Sequence, residues 1–310
     1  MKRSRTFRWL AVGGCICLGI MFGAMDSIAA FEQSSDSGRV VRDIEFARAG
    51  DVSLKLDLYL PPGNGPHPLI VWLHGGAFLM GDKQQIWWRP LLQQTERGYA
   101  VASINYRFAN QAVFPAQIYD AKAAVRWLRA NAETYQLQTD RIIAGGESAG
   151  AYLAAMLGVT GDKSDMEDLT QGNSRQSSRV QGVIDFYGPS DFLQIDQGVP
   201  ESCRNVQSHA APGSPESQLL GCPYPDCPDK AKQASPITHV SKKAPPFLIF
   251  HGTGDCLVPF QQSQIIHEAL KKAGVRTELH EMPGLNHLDQ GFITPENEKR
   301  VNDFIDGIFR

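Results

Sequence analysis

Apolar residues recur at every second position at Leu54, Leu56, Leu58 and Leu60, with polar or amphipathic residues between them. A period of two puts one face of a strand against a core, and Pro61 and Pro62 end it. Leu69 to Leu73 is instead a continuous run of branched and aromatic residues, the pattern of a central strand covered on both faces. Val101 to Tyr106 reads as a third strand. From Phe114 to about Tyr135 the period lengthens. Ile118, Ala121, Val125 and Leu128 recur at three- and four-residue steps and predict a helix. Arg141 to Ala144 predicts a short strand that runs into glycines, and Ala151 to Leu157 a helix of small residues. Val183 to Tyr187 and Phe247 to Phe250 predict two more buried strands. Gln261 to Ala273 predicts a helix closed by Gly274, Thr277 to Met282 the last strand, and Glu296 to Ile308 an amphipathic terminal helix.

Strands that alternate with helices imply crossover units. The expected architecture is α/β, with a mostly parallel central sheet, helices on both faces, and ligands at the carboxyl ends of the strands. No fixed repeat or long linker interrupts the pattern, so residues 38–310 read as one catalytic domain. Between Asp191 and Pro236 the periodicity fails in a stretch rich in Pro, Ser and Gly. Residues 191–236 are expected to form an irregular excursion over the active-site edge.

The first thirty residues change the picture. Lys2, Arg3, Arg5 and Arg8 precede a mostly apolar run from Trp9 to Phe22, and small residues follow at Ser27, Ala29 and Ala30. This is the layout of a secretory signal peptide over residues 1–30. It implies export to the periplasm or the extracellular space, with no membrane attachment after cleavage. Cys15 and Cys17 would leave with the leader. Cys203, Cys222, Cys227 and Cys256 would remain, and an oxidising compartment favours disulfides among them. Four cysteines allow three pairings, and the sequence does not choose. The 310 residues are 42% hydrophobic and 20% charged with a formal net charge of -3. Without runs of like charge, there is no electrostatic footprint for nucleic acid.

The sharpest chemical signal is Gly146-Glu147-Ser148-Ala149-Gly150 between a predicted strand and a predicted helix. This context suits a serine nucleophile held on a strained strand-to-helix turn. His74-Gly75-Gly76-Ala77-Phe78 follows the central strand directly. Small residues there leave backbone N–H groups unshielded, so Gly76 and Ala77, with Ala149, are the expected oxyanion donors. His74 reads as an organiser of this loop. In the chain order serine, acid, histidine, the base must come late. His251 ends a strand, His267 lies on a helix and His280 in a strand. His287 alone sits in a loop just past the last strand, where a general base belongs. Asp255, in the loop after the preceding strand, is favoured as the acid over Asp191, which lies one strand earlier.

The stretches LDLYLP, PLIVWLHGGAF, GYAVASINYRF, FPAQIYDAKAAVRWLRAN, RIIAGGESAG, DFYGPSDF, PESQLLG and PFLIFHGTGDCLVP together resemble bacterial α/β-hydrolases called bifunctional feruloyl and acetyl-xylan esterases. These are relatives of the hormone-sensitive-lipase-like esterases. The resemblance implies the α/β-hydrolase fold, the triad Ser148, Asp255 and His287, and hydrolysis of a small-molecule ester or acylated saccharide through an acyl-enzyme. It implies no metal or organic cofactor. Cys222 and Cys227 stand outside its pattern. A serine peptidase of the prolyl-oligopeptidase kind shares fold and triad order but usually carries a large extra domain. A non-catalytic binding protein on this fold would normally lack a triad residue. The 191–236 stretch has no long apolar helix to bury a fatty chain, and Trp87 and Trp88 could line an acyl or aromatic pocket. Short-chain or small aromatic acyl esters are therefore the expected substrates.

Overall fold

Eight strands form one sheet in the order β1-β2-β4-β3-β5-β6-β7-β8. This arrangement comes from a computed structural model that describes residues 38–85, 89–203 and 206–310. The strands are β1 (Arg39–Ala49), β2 (Val52–Leu60), β3 (His67–Leu73), β4 (Ala100–Ile104), β5 (Leu137–Glu147), β6 (Gly182–Phe186), β7 (Phe247–Gly252) and β8 (Thr277–Met282). The β1–β2 and β2–β4 pairs are antiparallel, and every other neighbouring pair is parallel. The order reverses around β3, β4 and β5. The carboxyl ends of the parallel strands beside such a reversal open a crevice.

The apolar run of β3 explains why it sits inside. Leu69, Val71 and Leu73 face one core, which they share with Ile118, Ala121, Val125 and Leu128 of the helix Ala116–Ala130. The helices Ala149–Val159 and Gln261–Lys272 cover the same face. Ile70 and Trp72 face the opposite core, with Val301, Phe304 and Ile305 of the helix Pro295–Phe309. Trp72 is fully buried there, and truncating such an aromatic costs about 3–5 kcal/mol.

Three elements depart from the periodicity. β1 was not expected at all. Its RVVRDIEFARA sequence is largely solvent-exposed, with bulges that break the alternation; within the sheet it pairs with β2 alone, while Phe46 and Ala47 reach the core. β5 starts at Leu137 rather than Arg141, because its first half carries the polar residues Gln138, Thr139 and Asp140. The 191–236 stretch contains two short helices, Pro215–Leu220 and Pro228–Ala234. The first has Ser214 as N-cap, accepting from the Ser217 N–H, and a left-handed Gly221 after its last turn. Both helices are too short to show a helical period. Two disulfides are present, Cys203–Cys256 and Cys222–Cys227. Among the described residues, no helix is long and apolar enough to cross a membrane. The leader expected over residues 1–30 lies outside the described residues.

Candidate active site

β5 delivers Ser148 to the centre of the carboxyl edge. The residue has φ 52° and ψ −120°, between the last residue of the strand and the first of the helix Ala149–Val159. A non-glycine side chain rarely occupies this region and costs of order 1–3 kcal/mol there. The turn is locked from both sides. The Ser148 N–H donates to the Phe186 carbonyl at 2.9 Å, and the Ser148 carbonyl accepts from the Tyr152 N–H at 3.0 Å. Gly146 and Gly150 permit the close packing. A Cβ at Gly150 would lie 2.1 Å from the Leu73 carbonyl oxygen, and one at Gly146 would lie 2.4 Å from the Gly150 backbone.

His287 and Asp255 complete a line of hydrogen bonds. His287 Nε2 is 3.0 Å from Ser148 Oγ, and His287 Nδ1 is 2.6 Å from Asp255 Oδ2. The other carboxylate oxygen, Oδ1, accepts from the N–H groups of Leu257 at 2.8 Å and Val258 at 2.9 Å. Burial alone would raise the Asp255 carboxyl. Hydrogen bonds and charge from His251 and His287 overcome it and hold the group well below the usual carboxylate range. Asp191 has a different position: its carboxylate accepts from the Leu193 N–H at 2.9 Å and from Gln194 Nε2 at 2.6 Å. His267 contacts Thr277 Oγ1, and the His280 ring stacks on Phe250.

The loop after β3 turns sharply, with positive φ at Gly76 (116°), Ala77 (53°) and Phe78 (63°). The Gly76 carbonyl accepts from the N–H groups of Leu79 and Met80, and the Phe78 carbonyl from that of Ala109. His74 braces this turn from beneath. Its Nδ1 lies 2.6 Å from the Gly75 carbonyl, its own carbonyl accepts from the Tyr106 hydroxyl at 2.8 Å, and its ring stacks on Tyr106. Burial pushes the imidazole below its ordinary value.

A cleft of about 230 Å³ opens over these residues. Ala77 and Ala149 line it beside Ser148 and His287, whereas Gly76 sits one residue behind the wall. Val206, His209 and Glu216 of the 191–236 stretch form the facing wall, and Leu257 and Val258 extend the acid loop into it. The Cys203–Cys256 disulfide ties that wall to the acid loop one residue after Asp255. Trp87 and Trp88 lie outside the described residues. Among the described residues, no group of His, Cys, Asp and Glu is placed to hold a metal ion.

Several supporting residues escaped the sequence reading. His251 is fully buried, with Nδ1 2.6 Å from Ser263 Oγ and Nε2 3.3 Å from Asp255 Oδ2. Tyr187, at φ 49°, packs its ring 4.6 Å from the His287 ring and donates its hydroxyl to Glu147 Oε2 at 3.2 Å. Burial pushes the Glu147 carboxyl up to about 7, although bonds from Tyr187 and the Gly75 N–H oppose the rise.

Known proteins resemble this chain in sequence and in shape. The esterase LipQ of Mycobacterium tuberculosis is 30% identical over 86% of the chain and 62% of its own length. The chain spans between 53% and 62% of the three mycobacterial esterases it matches. A truncated carbohydrate esterase from gut microbiota superposes with a TM-score of 0.77 at 29% identity, covering 89% of this chain and 98% of that one. The butyrate-bound esterase Est2 of Thermogutta terrifontis gives a TM-score of 0.69 at 25% identity, over 89% of this chain and 95% of its own. The family model BD-FAE matches residues 56–270, from β2 through most of the helix Gln261–Lys272. With that match over more than half its length and the sheet order described above, the chain belongs to the BD-FAE family and has the α/β-hydrolase fold.

Proposed function

We propose that the protein is a serine carboxylesterase that works through an acyl-enzyme. The carrying observation is the unbroken line from Ser148 Oγ through His287 to Asp255, with contacts of 3.0 and 2.6 Å. His287 Nε2 takes the Ser148 proton as Oγ attacks the ester carbonyl carbon. The N–H groups of Gly76, Ala77 and Ala149 hold the resulting oxyanion. His287 then protonates the leaving alcohol, and in the second half it activates water to release the acid. Asp255 orients the imidazole and stabilises its charged form. The mechanism calls for neither a metal nor an organic cofactor.

Residues 38–310 act in this reading as one catalytic domain, with 191–236 covering the edge of the site. Residues 1–30 act as a cleavable export leader, and the two disulfides fit an oxidising destination. The substrates are small-molecule or saccharide esters with acetyl to butyryl or small aromatic acyl groups. The small cleft and the short helices Pro215–Leu220 and Pro228–Ala234 of the covering stretch support short acyl chains, as do the carbohydrate esterase and butyrate-bound relatives. A series of 4-nitrophenyl esters from acetyl to palmitoyl tests this. A bounded pocket gains about 0.8 kcal/mol per methylene only until it is filled, so kcat/KM should fall steeply beyond about eight carbons. Faster turnover of palmitoyl than butyryl ester would overturn the short-chain assignment.

A further inference from the structure

His209 and Glu216 sit on the cleft wall facing the nucleophile, and the reaction just described uses neither. Both are more than nine-tenths buried, at 9% and 5% exposure. Their backbones are pinned. The His209 N–H donates to Asp196 Oδ1 at 2.9 Å, and its carbonyl accepts from Ser214 Oγ at 2.6 Å. Glu216 follows in the helix that Ser214 caps. His209 Nδ1 lies 3.0 Å from Glu216 Oε2, so the two side chains form one charged pair on the cleft wall. Burial alone would lower the imidazole, and Glu216 beside it holds it above its ordinary value.

A buried ion pair contributes little to stability, so stability alone does not account for placing this one on the cleft wall. The rest of the cleft is mostly apolar, with Phe78, Val206, Leu257 and Val258. In a pocket of this kind, a few placed polar groups fix ligand orientation. The PESQLLG motif carries Glu216, and the chemistry at Ser148 leaves it unexplained.

We propose that His209 and Glu216 form a subsite that hydrogen-bonds a hydroxyl group of the substrate beside its scissile ester. The carboxylate accepts the hydroxyl hydrogen. The imidazole, with Nδ1 against the carboxylate, presents Nε2 to the hydroxyl oxygen. This inference rests on the ester-hydrolase reading and adds a preference for hydroxylated esters. The hydroxyl has two sources: a phenol on an aromatic acyl group, or a ring hydroxyl on a sugar alcohol.

The test compares esters that differ in hydroxyl content. One pair is methyl 4-hydroxycinnamate against methyl cinnamate. The other is a mono-acetylated xylopyranoside against cyclohexyl acetate. The readout is the ratio of kcat/KM within each pair for wild type, Glu216→Gln and His209→Asn, with thermal unfolding of each variant alongside. For one pair the wild-type ratio should exceed ten, and both variants should cut it by about ten-fold, mainly through KM. The responding pair identifies the source of the hydroxyl. Two variants guard against one that fails to fold. Ratios that stay within two-fold of wild type in both pairs would overturn the subsite while leaving the esterase reading in place. Failure of the wild type to turn over 4-nitrophenyl acetate would overturn the esterase reading, and the subsite with it.

Discussion

The two walls of the cleft are built by different means. On the nucleophile side, β5, Ser148 and the helix Ala149–Val159 form one buried unit whose conformation is enforced by glycines packed against neighbouring backbone. On the facing side, the described part of the 191–236 stretch has two short α-helices and a 3-10 turn at Glu201–Cys203. It is held by the Cys203–Cys256 strap, by capping hydrogen bonds, and by Gln262, whose Oε1 accepts from the Ser190 and Asp191 N–H groups. In the proposed esterase the first wall places the reacting atoms, and the second carries the side chains proposed to meet the rest of the substrate. A covalent and polar scaffold of this sort can change its contents without disturbing the sheet.

The largest separation between the walls should come from two aspartates in comparable loops. Asp255→Asn leaves His287 with the wrong tautomer and should lower kcat by on the order of 10⁴. Asp191→Asn disturbs only the start of the facing wall and should cost less than about ten-fold, since it loses at most the hydrogen bond from Gln194 Nε2. Steady-state kinetics on 4-nitrophenyl butyrate would rank them, and the reverse ranking would move the acid to the other loop.

The disulfides should separate next. Cys203–Cys256 spans 53 residues and Cys222–Cys227 only 5. Chain-entropy reasoning gives about 4 kcal/mol for the first and about 2 kcal/mol for the second. Urea unfolding of the two double Cys→Ser variants should show that order. The first variant should also raise KM, because it frees the wall from the acid loop. A larger loss from the Cys222–Cys227 pair would show that the strap does not hold this wall.

The nucleophile side has its own signature in pH. Folded protein keeps the Glu147 proton up to about 7, whereas the unfolded chain releases it near 4.5. Between those values the folded state binds more protons, so stability falls as pH rises through the window, by on the order of 3 kcal/mol. Glu147→Gln keeps the size and an acceptor for Tyr187 but cannot ionise. Urea unfolding at pH 5 and pH 8 should show a smaller difference in the variant than in wild type. Equal differences would mean that Glu147 is ionised at neutral pH.

The sequence revealed the two walls unequally for the same reason. The strands β3, β4, β6 and β7, and the Gly146 to Gly150 turn, obey local rules: an apolar run for burial on both faces, and glycine where a Cβ would strike backbone. The position of His287 followed from chain order. β1 went unseen because a bulged, exposed edge strand has no alternation to read. The helices Pro215–Leu220 and Pro228–Ala234 are too short for a period. Their caps at Ser214 and Gly221 were the available signals. His209, Glu216, Tyr187 and His251 gain meaning only from tertiary neighbours, and four cysteines with three possible pairings left the disulfide partners open.

Ser148→Ala tests the central claim most directly. Purified variant and wild type would be compared on 4-nitrophenyl butyrate, with thermal unfolding run in parallel. Loss of the hydroxyl should leave the unfolding temperature within a few degrees and lower kcat by on the order of 10⁴ or more, because the oxyanion donors and binding alone retain little turnover. A folded variant that keeps a tenth of wild-type activity would contradict Ser148 as the nucleophile.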